Sequence, residues 1–146
     1  MKVKQGFSIL HEFKSSARHT YLTIGIDEQI PCVVDIWTGA FGNQTNFRNG
    51  VEKVVNVLIE RGYCKWLADL RKMEGSWDSS RDWMLNELLP RAVKGGLRFE
   101  AIILPKDVFA RLSAQDTIIK LKNYQLRQFD NLQEAKVWLK HIQEGL

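Results

Sequence analysis

A chain of 146 residues, 45% hydrophobic and 26% charged, suits one domain around one core and is too apolar for a disordered tail. Its net charge of +4, from 21 basic and 17 acidic residues mixed along the chain, lacks the concentrated basic stripe of a nucleic-acid binder. No apolar run approaches the roughly 20 residues of a membrane span, so no stable membrane insertion is expected.

In chain order, the segment Met1 to Phe7 lacks the apolar region of a secretory signal, and the expected location is cytoplasmic. Residues 1–20 are polar and weakly patterned. They read as an N-terminal extension in which Phe7, Ile9, Leu10 and Phe13 form one short packed element, with residues 21–146 as the domain. Residues 21–26 and 32–38 alternate and carry strand formers; the turn between them is short enough to predict an antiparallel hairpin. A helix follows from Asn43 or Thr45 to Glu60, with Phe47, Val51, Val54, Val55, Leu58 and Ile59 on one stripe and Gly62 as its C-terminal stop. Residues 65–70 form a short apolar strand, and Lys72 to Trp77 a polar loop. Ser79 or Ser80 is placed to cap the next helix, whose apolar face carries Trp83, Met84, Leu88 and Val93. Pro90 inside that pattern predicts a kink or break near residues 86–89. Residues 99–104 are a fourth strand. Residues 107–112 read as a turn or two of helix, and Ser113 to Asp116 as the cap of a separate helix reaching Lys122. Residues 125–129 are a fifth strand. Asn131 to Glu134 match a capping box that opens a last helix. Cys32 and Cys64, with no paired spacing, read as reduced thiols in strands.

Strands separated by helices imply right-handed parallel crossovers. The predicted fold is α/β, a single-domain mixed five-stranded sheet with an N-terminal antiparallel hairpin, then parallel strands, and about four helices.

This order and four local strings resemble the STAS-like family, relatives of bacterial anti-sigma-factor antagonists, and within it small bacterial STAS/SEC14-like proteins. The strings are Trp66-Leu67-Ala68-Asp69-Leu70-Arg71, Leu89-Pro90-Arg91-Ala92-Val93-Lys94, Asp107-Val108-Phe109-Ala110-Arg111-Leu112-Ser113, and the run from Phe129 to Leu139. The resemblance implies a non-enzymatic regulatory module that binds a protein partner. In the antagonists a serine in an Asp-Ser-Ser-Gly-like string is phosphorylated. Asp78-Ser79-Ser80 matches its first three positions, and Arg81 stands where the glycine would be. The SEC14-like label implies the alternative, a small-molecule or lipid site between sheet and helices, flanked by the Pro90 region and residues 105–112.

The candidate surface is therefore the end of the third predicted strand together with the loop and helix start that come after it. Asp69 and Arg71 alternate onto one side, as a ligand-orienting pair or a structural ion pair. Ser79 and Ser80 are switch candidates or plain helix caps. Trp77 and Trp83 flank Asp78 and are expected to be partly exposed, as contact area or as packing. His11, His19 and His141 neighbour no nucleophile in sequence, and no metal-ligand spacing or phosphate loop occurs, so no cofactor and no enzyme activity are expected. A homodimer through a free sheet edge is compatible with this layout.

Overall fold

The computed structural model describes residues 2–143. The sheet has seven strands in sequential spatial order: β1 Val3–Lys4, β2 Phe7–Lys14, β3 Thr20–Asp27, β4 Cys32–Ala40, β5 Lys65–Glu74, β6 Phe99–Ile103 and β7 Gln125–Phe129. Pairing is antiparallel from β1 to β4 and parallel from β4 to β7. The mixed sheet and its hairpin-then-parallel order are as expected. The count of five strands and the separate extension over residues 1–20 are not.

The first twenty residues supply β1 and β2. Phe7 is buried against the core facing the C-terminal helix, whereas Leu10 and Phe13 pack on the opposite core. Register shifts between Ile9 and His11 and between Phe13 and Lys14 break the two-residue period. That break is why the alternation of a strand is not legible there. Gly25 of β3 admits β2: a Cβ at that position would lie 2.6 Å from the Ser8 carbonyl oxygen.

Helices occupy both faces. α1 (Gln44–Arg61) starts at Asn43, whose side chain accepts the Asn46 N–H. It ends at Gly62, left-handed at φ 68°, with the Tyr63 N–H closing on the Leu58 carbonyl. A composite segment comes next: a 3-10 turn Asp78–Ser80, α2 (Arg81–Trp83), a π turn Met84–Leu88, and α3 (Leu89–Lys94). Proline removes an N–H and crowds the carbonyl four residues back. The chain answers by widening, with the Leu89 N–H reaching the Met84 carbonyl; the kink or break expected near residues 86–89 takes the form of a π turn over Met84–Leu88, beyond which the chain stays helical through Pro90. α4 (Val108–Ile119) is one helix rather than two pieces, capped by Asp107 on the Ala110 N–H. Ser113 lies inside it and bonds to the neighbouring segment instead of capping. α5 (Leu132–His141) is capped by Asn131 on the Glu134 N–H.

Right-handed crossovers that step one way across a sheet put their helices on a single face. α1, the composite segment and α4 accordingly cover one face, where Trp37, Trp66, Leu70 and Ile102 meet them. α5, after the last strand, is free to close the other, over Leu67, Phe99 and Ile103.

Candidate functional site

The residues singled out from sequence divide between the two faces. Asp69 and Arg71 lie on the α5 side of β5, at the parallel strands' C-terminal ends. Asp69 is almost wholly buried, and Arg71 donates to both its oxygens, Nε to Oδ1 at 2.9 Å and Nη2 to Oδ2 at 2.7 Å. Those bonds hold the guanidinium pKa above its ordinary value, against a smaller opposing effect of burial. Arg71 also donates to Gln5 of the β1–β2 turn at 3.1 Å, and Lys4, Lys72 and Lys106 border the shallow clefts beside it. The pair ties the N-terminal hairpin to the centre of the sheet.

Trp77, Asp78, Ser79, Ser80 and Trp83 lie on the opposite face. Ser80 is 0% exposed; its hydroxyl donates to Gln44 Oε1 at 2.6 Å and accepts from Arg48 Nε at 3.0 Å. Neither serine side chain caps a helix. Ser76 takes that part, accepting the Asp78 N–H at 3.1 Å. Ser79 is exposed, and its carbonyl accepts from Arg48 at 3.2 Å. Trp77 is core rather than partly exposed. It stacks on Phe47 with ring centres 5.4 Å apart and donates to Thr117 of α4 at 3.2 Å. Nothing in the loop's own residues shows that α4 folds over it, so its local sequence reads as open. Trp83 is half-buried beneath the Arg48 guanidinium, 5.1 Å from its ring centre.

Hydrogen bonds join this segment to α4. Ser113 donates to Asp78 at 2.7 Å and accepts the Trp77 N–H, and Arg81 bridges Asp78 to Asp116. α4 itself is inverted. Ala110, Ser113, Ala114 and Thr117 face the core, while Val108, Phe109, Leu112 and Ile119 stand 53% to 80% exposed. A helix normally buries its large apolar residues; here the small ones let it close over Trp77.

Beneath these helices lies a cavity of about 50 Å³ that sequence reasoning missed. Two acidic residues line it. Asp35 of β4 is 2% exposed and accepts one indole N–H on each oxygen, from Trp66 at 2.7 Å and Trp37 at 2.8 Å. Burial raises its pKa to about 6, against the lowering effect of those bonds. Glu100 of β6 is 6% exposed, accepts from the Tyr124 hydroxyl at 2.8 Å, and is pushed by burial up to about 8, with the Asp35 charge adding to the rise. No hydrogen bond to its second oxygen is found among the described residues, and that oxygen is not among their fully enclosed atoms left without a partner, a set that holds Arg81 Nε alone. The available signal was a single acidic residue on the inward phase of an apolar strand, Val34-Asp35-Ile36 and Phe99-Glu100-Ala101.

Other reactive groups lie outside this cavity's lining. The Cys32 thiol is buried and pushed up to about 12 by desolvation, which makes it a poor nucleophile. His19 is bonded to the Thr38 carbonyl at 2.7 Å. Among the described residues no group of three His, Cys, Asp or Glu side chains is placed to hold a metal, and no helix is long and apolar enough to cross a membrane. The chain matches no family model, no curated protein and no solved structure.

Proposed function

We propose that this chain is a non-enzymatic binding domain of STAS-like type that acts through a protein partner, with α4 and the segment leaving β5 as its working surface. The observation that carries this reading is the inverted helix: four large apolar side chains of α4 face outward beside the charged cluster Asp78, Arg81 and Asp116. Exposed apolar side chains grouped on one element and rimmed by charge are what protein interfaces use. The order of an antiparallel hairpin, parallel strands and crossovers on one face supports the STAS-like part. Within this reading Ser79 is the switch position, because its side chain is exposed. A phosphate on Ser80 would have to displace the hydroxyl from between Gln44 and Arg48.

Photocrosslinking from position 109 in cells tests the surface, with position 140 on α5 as control. One recurrent protein adduct at position 109, lost on Leu112→Glu, is expected. Equal or absent adducts at the two positions would overturn the reading, and an adduct of the chain with itself would make the partner a second copy.

A second reading, a small-molecule site between sheet and helices, is favoured by the cavity. Its volume of about 50 Å³ is far below the several hundred Å³ of a drug-sized ligand's pocket, so it has no room for a buried acyl chain. It receives at most one end of a ligand.

A further inference from the structure

The cavity lies beside a surface pocket. Leu89 and Leu121 line both, and the pocket, of about 300 Å³, is formed by the π turn with Pro90 on one side and residues 120–123 on the other. Inside, the lining is apolar apart from Thr117 of α4, Tyr124, and the floor, where Asp35 and Glu100 stand on the strands either side of β5, on the face that Trp66 shares. The titratable residues among those lining it are Asp35 from β4, Glu100 from β6 and Tyr124 from the loop before β7. Among the described residues the helices contribute none and no Lys, Arg or His lines the cavity, while Lys120 and Lys122 line the surface pocket outside it. Each Asp35 oxygen is already held by an indole, while one Glu100 oxygen has no hydrogen bond among the described residues.

Buried carboxyls are normally matched by a cation. Here, among the described residues lining the cavity, the two acids meet indole and phenol donors and no cationic side chain. We infer that the cavity receives the ammonium group of a small organic cation. Glu100 and Asp35 provide its countercharge, Trp37, Trp66 and Tyr124 surround it, and the aliphatic tail leaves between Leu89 and Leu121. The chemistry is that of aromatic cages with an acidic floor, in which a desolvated cation gains from both ring faces and carboxylate. A neutral or anionic head group gains neither. The inference rests on the small-molecule reading and gives it a ligand class. The π turn is the wall best suited to move, because such turns are local irregularities in the helical ladder and recur at functional sites.

Hexylammonium chloride is the probe, with hexan-1-ol and sodium hexanoate as neutral and anionic controls, followed through the indole N–H resonances of Trp37 and Trp66. Hexylammonium is expected to shift both resonances saturably and to bind at least ten-fold more tightly at pH 8 than at pH 6, because it favours ionised Glu100. Glu100→Gln keeps an acceptor for Tyr124 and is expected to weaken binding about ten-fold and flatten that pH dependence. If the variant does not fold, the wild-type pH dependence decides. Equal binding of hexanol, or preference for hexanoate, would leave a small-molecule pocket but overturn the cation. No saturable shift with any of the three would overturn the pocket itself.

Discussion

Asp69 and Glu100 sit on neighbouring strands of one sheet, face opposite sides, and are both almost wholly buried. Asp69 has a guanidinium on both oxygens. Glu100 has a phenol on one oxygen and no hydrogen bond at the other among the described residues, and burial pushes its pKa to about 8. The difference teaches that burial alone does not define a buried acid; its partner does. A carboxylate with a cation of its own is a structural tie, and a buried carboxyl that meets only a phenol keeps its proton to higher pH.

The comparison breaks most sharply if Asp69 loses its partner. Arg71→Met should cost about 3 kcal/mol in denaturant unfolding, since it leaves a buried carboxylate without its cation. A cost under about 1 kcal/mol would make the pair no stronger than a surface bridge.

Glu100→Gln should act in the opposite direction. The folded pKa of about 8 lies above the ordinary value of 4.5, so between these pH values the unfolded chain releases a proton that the folded one keeps. That linkage lowers stability as pH rises from about 4.5 to about 8 and holds the penalty constant above. Asp35, raised from 3.8 to about 6, adds a fall across its own window. The glutamine variant should therefore gain about 2 kcal/mol over wild type at pH 9 and almost nothing at pH 4.5, read from thermal or urea unfolding across pH. The gain is less than the full shift implies, because the new amide N–H₂ is itself buried without an assigned partner. Tyr124→Phe, which removes the one donor to Glu100, should cost about 1 kcal/mol. The smallest expected effect is Ser79→Ala, within about 0.5 kcal/mol, against about 1 kcal/mol for Ser80→Ala, whose hydroxyl holds Gln44 and Arg48 together.

The five predicted strands and the caps at Gly62 and Asn131 were legible because local chemistry decides them: alternation, a left-handed glycine, a side-chain acceptor. β1 and β2 were not, because register shifts erase the period that marks a strand. Asp69 and Arg71 could be paired on sight, being two residues apart on one strand. The partners of the residues after β5 come from far away in the chain: Trp77 from Phe47 and Thr117, and Ser80 from Gln44 and Arg48. The cavity assembles Asp35, Trp66, Glu100 and Tyr124 from four separate segments, and no short window contains it. α4 misled for a related reason. Its apolar residues mark its outer face, while its small residues mark the face that packs.

The most direct test of the proposed cation site is the Glu100 side-chain carboxyl carbon, followed by NMR from pH 4 to pH 10 with and without hexylammonium. The account predicts a midpoint near 8 in the free protein, moving to lower pH when the ammonium is bound. A midpoint in the ordinary glutamate range near 4.5, or one that hexylammonium does not move, would contradict it.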